Sequence, residues 1–405
     1  MPVPSYLSLS SKQSGKTRPP RTAVLHLCPD VEPDDPGRET VDLAILTQRN
    51  GWRALIASSG GALVPDAERA AVRHWRMPMD GSNIFASWRT RIRLERLFHK
   101  EHPALVHAHG IEATGFACVM TRNHNVPSVI DLTQPFDDTP RARRIMEAVK
   151  TTPNISVRVP SAFMAQQLIK TYGLNEELIN RIAPGVDLQW HGAGFISPER
   201  LQNLSHTLRL PDQAAVILVP LPVLPNMGHS IFLQAVAQLT HENVYAILAG
   251  SERLAPGERA EIESQVDKLG LGGKIIMPEF CTDLPATCWL SSVVVAPNIT
   301  PRGQIPEVLA AQAIGRPVIV TNVGASPELV VSGDTAWVIP TNDVHVMADA
   351  LLEAIQMTTD QRLDLAERTH NFIAENFPQG AWFEGMMGLY DRLLQPAERP
   401  SRQAA

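Results

Sequence analysis

Apolar residues fall into short runs that alternate with amphipathic segments along most of the chain. The run Thr22–Leu27 ends at a polar, proline-containing loop, and the segment from Glu39 to Asn50 places apolar residues at helical spacing. The run Trp52–Ala57 follows and ends at two serines and two glycines. Short buried runs separated by helical segments are typical of β-α-β units with parallel strands. The pattern therefore predicts a doubly wound α/β protein.

The alternation is clearest in the second half of the chain. Val293–Ala296 is an apolar run, and Pro306 stands where a first helical residue tolerates its missing N–H. Gly315 is placed to end that helix. The loops 297–305 and 321–326 each follow a predicted strand. Because ligands of open parallel sheets bind at the carboxyl ends of strands, both loops are predicted to face a binding site.

Length and composition narrow the class of protein. A chain of 405 residues suits two domains, and 44% hydrophobic with 19% charged residues indicates a globular protein. A net charge of −6 argues against a dedicated nucleic-acid binder. No apolar run approaches the roughly 18 residues that span a bilayer, and the polar N-terminus lacks a signal core. The four cysteines lack C-x-x-C spacing, so we expect buried thiols in a soluble cytoplasmic protein.

Two histidines lie at the end of a predicted strand. His107 and His109 are two residues apart in the segment LVHAHG, which follows an apolar run. One of them could be a core residue and the other a surface residue, but the strand-end position favours a functional role for His109. A zinc site would need a third ligand that the sequence does not reveal. The acids of the loop before Gly37 could hold a cation, although a solvated loop is the simpler interpretation.

The segment AAQAIGRPVIVTNVGASPELV (310–330) resembles the donor-site segment of family-4 (group 1) glycosyltransferases, retaining enzymes of the GT-B fold. LVHAHG resembles the H-x-H segment of that family, and the order ILAGSE, LGLGGKIIMPEF, DLP resembles its base-binding part. The resemblance covers roughly residues 22–395. It implies two doubly wound Rossmann-like domains facing a cleft.

The same resemblance implies a domain organisation. The expected parts are a disordered tail (1–21), an acceptor-side domain (22–190), a linker (191–212), a nucleotide-sugar-side domain (213–377), a C-terminal helix returning to the first domain (378–395) and a second tail (396–405).

The resemblance also implies roles for individual residues. His109 matches a histidine near the transferred sugar, and Glu328 matches a glutamate near the donor ribose. Residues around Glu279 correspond to those that contact the nucleotide base. Three glycines are also assigned to binding: Gly37, in the loop where relatives have adjacent glycines whose backbone approaches the donor or acceptor, and the donor-site glycines Gly228 and Gly324. Neither a cofactor nor a metal is expected, since GT-B enzymes hold a nucleotide-sugar such as a UDP- or GDP-sugar with side chains and helix N-termini.

The chain departs from the family at the donor site. Pro222 and Met227 stand where the family has the arginine and lysine that grip the diphosphate of the donor. Arg302 and Ala310 stand where the family has two glutamates eight positions apart. Arg302 is therefore the candidate cation of this site, and Glu307 is the candidate replacement for an acid.

Two hypotheses follow from this mismatch. The first is a glycosyltransferase with a rearranged donor site, acting on a glycan or lipid-linked acceptor in polysaccharide or glycolipid assembly. The second is a catalytically inactive pseudo-glycosyltransferase that binds or regulates a partner. A GT-B epimerase or phosphorylase fits less well, because no lysine is placed to bind pyridoxal phosphate. The basic amphipathic helix predicted at 88–102 is compatible with peripheral contact with an anionic membrane, and also with an ordinary solvated helix.

Overall fold

The computed structural model describes residues 22–33, 35–79, 84–191, 196–224, 227–239, 243–251, 254–278 and 283–395, without the side chains of 35, 84–87, 190 and 191. The described residues form two compact units. The first unit contains 22–183 and 380–395, and the second contains 184–379. Each unit is built on one parallel β-sheet with intervening helices, which confirms the predicted α/β class with two Rossmann-like domains.

The first unit has a seven-stranded sheet in the order β3-β2-β1-β4-β5-β6-β7. Its strands are β1 (Ala23–Leu27), β2 (Arg53–Ser58), β3 (Arg73–Arg76), β4 (Leu105–His109), β5 (Ser128–Asp131), β6 (Ile155–Val159) and β7 (Ile179–Arg181). The connecting helices are α1 (Asp35–Arg49), α2 (Val64–Arg69), α3 (Ile84–Glu101), α4 (Gly110–His124), α5 (Pro140–Thr151) and α6 (Ala162–Tyr172). The strand order reverses between β1 and β4, and such a reversal opens a crevice at the carboxyl ends of the strands.

The second unit repeats this arrangement with six strands in the order β10-β9-β8-β11-β12-β13. The strands are β8 (Ala215–Pro222), β9 (Val244–Gly250), β10 (Ile275–Ile276), β11 (Val293–Ala296), β12 (Val318–Thr321) and β13 (Trp337–Ile339). The helices are α7 (Leu188–His191), α8 (Pro198–Leu208), α9 (His229–Ala237), α10 (Pro256–Lys268), α11 (Leu284–Leu290), α12 (Pro306–Ala313), α13 (Val344–Gln356) and α14 (Thr359–Asn376). Here the order reverses between β8 and β11.

The last helix, α15 (Gln379–Leu394), follows the second unit in sequence but packs in the first. Tyr390 is completely buried, and its hydroxyl hydrogen-bonds with Nδ1 of His107 at 2.6 Å. Its ring lies 5.9 Å from that of Trp52, measured between centroids. Arg392 donates a hydrogen bond to the side chain of Asn180. The helix therefore completes the core of the first unit.

Several local sequence signals are confirmed. Val293–Ala296 is a strand with the predicted bounds. Ser161 caps α6 by accepting a hydrogen bond from the backbone N–H of Met164. Gly315 follows α12 with φ of +82°, a conformation that favours glycine. A β-carbon there would also lie 2.6 Å from Cβ of Ala366 on α14.

Three segments differ from the expectation. Gly37 lies in the first turn of α1 rather than in a loop, because a proline at position 36 suits a helix start and the helix begins before the apolar periodicity does. The predicted linker 191–212 contains α8, and Arg200 of this helix pairs with Asp283, at 2.5 Å between Nε and Oδ2. After Gly324 the chain forms only a short 3-10 helix, Ser326–Leu329, instead of the start of an α-helix.

Candidate functional site

Three histidines meet at the strand reversal of the first unit. His26 of β1 lies opposite His107 of β4 in the parallel register, and His109 lies two residues further along the same face. Nδ1 of His26 lies 3.1 Å from Nε2 of His109, within hydrogen-bonding distance. The His107 and His109 rings are 4.1 Å apart between centroids. One ring nitrogen from each histidine lies within 4.8 Å of the other two. We call these three residues the histidine cluster.

A buried charge network lies beside the histidine cluster. The parallel register places His109, Asp131 and Arg158 next to one another on β4, β5 and β6. The Arg158 guanidinium is fully buried and donates to Asp131 Oδ1 at 3.1 Å and to Glu39 Oε1 at 2.7 Å. Asp131 Oδ2 lies 3.5 Å from Nε2 of His107 and 3.8 Å from Nδ1 of His109. The network links three strands and α1.

Burial sets the protonation of these groups. Burial lowers the pKa of His26 and of His109 well below the usual value, and repulsion from His107 adds to both shifts. Both rings are therefore neutral at neutral pH. Burial alone would raise the pKa of Asp131, but the Arg158 guanidinium and the neighbouring His107 together outweigh burial and lower that pKa. Burial raises the pKa of Tyr390 well above its usual value, so the phenol stays protonated.

A cavity of about 180 Å³ opens beside the histidine cluster, at the carboxyl ends of β4 and β5 and the start of α4. Its polar lining includes His109, Asp131, Glu39 and Glu112. The cavity is also lined by Thr133, Gln134, Pro36, Gly110, Ile111, Leu132, Pro135 and Phe136. The predicted site residue His109 thus faces a cavity of the first unit.

Gly37 and the acidic residues of the loop before α1 lie in different places. Gly37 is buried, two residues before Glu39 of the charge network. Asp30 and Glu32 line a separate cavity of about 590 Å³, together with Arg76. Asp34 lies outside the described residues.

The two predicted loops of the second unit are in contact. The backbone N–H of Ala325 donates to the carbonyl of Arg302 at 2.8 Å. Thr321 donates its hydroxyl to the carbonyl of Asn298 at 2.5 Å. Gly324 has φ of +62°, and a β-carbon there would lie 2.5 Å from the backbone nitrogen of Arg302. Glycine is therefore required for the two loops to approach this closely.

Arg302 and Glu307 carry polar atoms without partners. Both side chains are half-buried. Nε of Arg302 and Oε2 of Glu307 are buried and have no hydrogen-bond partner. Burying a polar atom without a partner costs about 1–3 kcal/mol, and more when the group is charged. Their geometry at the carboxyl end of β11 is therefore suited to a ligand that supplies the missing partners.

The loop after β8 carries no charge that replaces the family's basic pair. Gly228 caps α9 with φ of +77°, and a β-carbon there would lie 1.8 Å from the carbonyl oxygen of Pro297. Pro222 and Met227 are half-buried neutral residues. Burial lowers the pKa of His229 to about 4, although the backbone of Leu221 and Leu224 opposes the shift. His229 is therefore neutral at neutral pH.

The remaining predicted site positions lie in different surroundings. Glu328 is exposed in the 3-10 helix after Gly324. Ala310 is buried on α12 and carries no functional group. Glu279 lies outside the described residues. The sequence analysis missed His26. The feature that could have identified it is its position near the carboxyl end of β1, the strand that pairs with β4.

Two family models match this chain. The model Glycosyltransferase Family 4 matches residues 37–190, and the model Glycosyl transferases group 1 matches residues 216–357. Together they span most of both units.

Curated relatives are similar over part of the chain. A D-inositol 3-phosphate glycosyltransferase of Nocardioides sp. is 27% identical over 207 residues, which are 47% of this chain and 44% of that protein. The enzyme of the same name from Rhodococcus opacus is 25% identical over 278 residues, 66% of this chain and 60% of that protein. The chain thus spans about half the length of the curated relatives it matches.

Solved structures match the fold over nearly its whole length. A glycosyltransferase from Rickettsia africae superposes with a TM-score of 0.82 at 19% identity, covering 93% of this chain and 100% of that one. Anabaena Alr3699/HepE in complex with UDP-glucose superposes with a TM-score of 0.81 at 18% identity, covering 91% and 99%. Family models and fold agree, and the chain belongs to the group 1, family 4 glycosyltransferases of the GT-B fold.

Proposed function

We propose that this protein is a retaining glycosyltransferase that takes a sugar from a UDP- or GDP-sugar and acts in polysaccharide or glycolipid assembly. Its donor site differs from that of the family. Family membership supports the reaction class, and a structural neighbour is a complex with UDP-glucose. The observation that carries the proposal is the half-buried guanidinium of Arg302, whose buried Nε has no partner where two loops meet.

Arg302 is the group that binds the donor phosphates in this proposal. Its guanidinium presents a planar set of donors that matches phosphate oxygens, and bidentate contacts of this kind are among the strongest hydrogen bonds. Pro222, Met227 and the neutral His229 contribute no positive charge. As the bond to the sugar breaks, negative charge develops on the departing diphosphate, and Arg302 stabilises it.

We expect the rate of sugar transfer to be lower because the donor site has fewer positively charged side chains. Removing one preorganised electrostatic donor from an active site costs about 10² to 10³ in rate. With one arginine in place of an arginine and a lysine, we expect transfer to be slower than in relatives that keep both. Glu307, in the first turn of α12, is placed to accept hydrogen bonds from hydroxyl groups of the donor sugar, and Glu328 binds the ribose.

The first unit binds the acceptor, with His109 beside the transferred sugar. Its neutral ring hydrogen-bonds with His26 and faces the 180 Å³ cavity. Three carboxylates line that cavity, from Glu39, Asp131 and Glu112, and its described lining contains no lysine or arginine. Carboxylates repel anions and accept hydrogen bonds from hydroxyl or ammonium groups. The acceptor is therefore a neutral or amino-bearing glycan rather than a phosphorylated polyol such as the inositol phosphate named for the relatives.

A second candidate function rests on the same donor site. Four signature positions are changed together, at Pro222, Met227, Arg302 and Ala310. A protein that has lost sugar transfer but keeps the fold as a binding or regulatory partner would show this pattern. The neutral His229 favours this reading, since it leaves the loop after β8 without a cation.

The outer face of α3 is the proposed membrane contact. None of the described helices is long and apolar enough to cross a membrane. Trp88 is 62% exposed, and α3 also carries the exposed side chains of Arg89, Arg91, Arg93, Arg96 and Lys100. An exposed tryptophan beside basic residues suits the surface of an anionic bilayer. We expect the protein to co-float with anionic vesicles, and Trp88→Ala should weaken that binding. Equal co-flotation of the variant and the wild type would contradict this contact.

Titration calorimetry with UDP, GDP and their sugar conjugates tests the donor proposal. We expect micromolar binding to one of them, and Arg302→Ala should weaken it at least about tenfold because a charge-assisted contact is lost. Lys268→Ala removes one exposed positive charge from α10 of the same unit and should leave the affinity unchanged. Binding followed by sugar transfer supports the enzyme. A folded protein that binds no nucleotide at millimolar concentration would instead favour the pseudoenzyme.

A further inference from the structure

The histidine cluster has the composition of a metal site. His26, His107 and His109 each place one ring nitrogen within 4.8 Å of the others. Two imidazole nitrogens bound to the same tetrahedral zinc, each at about 2.0–2.1 Å, lie about 3.4 Å apart. Nδ1 of His26 and Nε2 of His109 are already 3.1 Å apart. Small side-chain rotations would bring the three nitrogens onto one ion.

Two ring nitrogens of the histidine cluster lack partners. Nε2 of His26 and Nε2 of His107 are fully buried and make no hydrogen bond. Nδ1 of His107 hydrogen-bonds with the hydroxyl of Tyr390 at 2.6 Å. A metal-binding histidine characteristically uses one nitrogen for the metal and gives the other to an oxygen, which fixes the ring. His107 has this arrangement, with Nε2 left for the ion.

The charges around the cluster also favour a cation. Asp131 and Glu39 carry two negative charges against the single positive charge of Arg158, so the network is formally −1 when the imidazoles are neutral. Asp131 Oδ2 lies within 3.8 Å of a nitrogen of both His107 and His109. His109 and Asp131 line the cavity that gives solvent access.

We propose that His26, His107 and His109 bind a divalent metal ion of the zinc class, with the fourth position open to the 180 Å³ cavity or taken by Asp131. Imidazole ligands suit zinc and its neighbours in the first transition row. This site lies in the first unit and does not depend on the proposed donor chemistry of Arg302. The bound ion would replace the hydrogen bond between His26 and His109. It would therefore also fix the orientation of the His109 ring beside the acceptor.

Cobalt titration of the full chain, purified without a histidine tag and stripped with a chelator, tests the site. Tetrahedral Co²⁺ absorbs visible light strongly, and we expect one such ion per chain, displaced by one equivalent of Zn²⁺. His26→Gln should abolish the band. His99→Gln is the matched control, because His99 is exposed on α3 beside His124, where an ion could bind adventitiously. It should leave the band intact.

Two results would overturn the proposal. One is a folded wild-type protein that shows no tetrahedral cobalt band, and the other is a band that His99→Gln removes and His26→Gln retains. If His26→Gln does not fold, Tyr390→Phe replaces it. Loss of an outer partner of a metal-bound histidine weakens metal binding about 10- to 100-fold, and an unchanged affinity in Tyr390→Phe would count against the site.

Discussion

The two units use the same sheet reversal in opposite ways. In the first unit the charged groups at the reversal are paired within the fold: Arg158 binds Asp131 and Glu39, and Tyr390 binds His107. The buried atoms without a partner there are Nε2 of His26, Nε2 of His107 and Nη2 of Arg158. In the second unit the loops at the corresponding edge are closely packed, and no opposite charge is paired with Arg302 in the described residues. There, buried atoms of Arg302 and Glu307 have no partner.

This difference separates a preorganised site from one that is completed by its ligand. A buried charge that is already paired with an opposite charge gains little more when a ligand arrives. A buried polar atom without a partner destabilises the empty protein by about 1–3 kcal/mol, and a ligand that supplies the partner recovers that energy on binding. We therefore expect ligands to stabilise the second unit more than the first. Four substitutions test this comparison, from the largest expected effect to the smallest.

Arg158→Met should have the largest effect, because it removes the cation from a fully buried cluster and leaves Asp131 without its partner. Breaking a buried ion pair in this way costs about 3–5 kcal/mol. Urea unfolding followed by circular dichroism measures the loss. Arg69→Met removes an exposed arginine that pairs with Asp66 on α2, and it should cost at most about 1 kcal/mol. Equal losses in the two variants would show that the charge network does not hold the first unit together.

Acid should destabilise the second unit through His229. The pKa of this residue is about 4 in the folded protein and near 6.5 when unfolded, so between these values the unfolded state binds a proton that the folded state does not. The free energy of unfolding therefore falls as the pH drops from 6.5 to 4, by up to about 3 kcal/mol from this residue. Urea unfolding at pH 7 and 4.5 measures the slope.

His229→Gln should reduce that slope, because glutamine does not titrate. His206→Gln, at an exposed position of α8, should not change it. A slope that survives in His229→Gln would assign the acid sensitivity to other groups.

Gly324→Ala should displace the backbone of Arg302. Overpacking typically costs about 1–3 kcal/mol, and the shifted loop should also bind nucleotide more weakly. Gly333→Ala is a matched control, since Gly333 has φ of +75° but a β-carbon there meets nothing within 4 Å. Both variants strain the backbone, but only Gly324→Ala adds a steric clash. The difference in stability and affinity between them therefore measures the effect of the clash. If both lose the same stability and affinity, the close approach at Gly324 does not position Arg302.

Met227→Lys should have the smallest effect, and it works in the opposite direction. It restores a lysine where the family has one, at a half-buried position, and we expect about fivefold tighter binding of UDP, or about 1 kcal/mol. Leu224→Lys adds the same charge at a side chain that is 48% exposed in the same loop, and so reports the general effect of charge. Equal gains from both lysines would mean that Met227 does not face the phosphates.

Local signals were enough to predict much of the fold. Val293–Ala296 was bounded correctly because a proline follows an apolar run, and α12 was bounded by Pro306 and Gly315. The strand β3 was missed because its residues, Arg73–Arg76, are mostly polar and lie at the edge of the sheet. Edge strands bury less of their surface, so their sequence carries less of the apolar signal.

The site was harder to predict because its residues come from distant segments. His26 and His109 are 83 positions apart, and only the strand order brings β1 beside β4. Arg158 lies within an apolar strand, and nothing local marks it as the partner of Asp131. Arg302 and Gly324 were identified together because the loops that carry them follow neighbouring strands. Pairing across a sheet is decided by topology, and the sequence shows it only once the strand order is known.

The position of α15 has a consequence for biosynthesis. Residues 22–183 leave the ribosome before the second unit, but Tyr390, which contacts both His107 and Trp52, is made about 200 residues later. At typical translation rates that interval is roughly 10–40 s. During this time the nascent first unit has an open groove where α15 will lie, and the second unit is synthesised in the meantime. The first unit is thus completed only after the second unit has been synthesised.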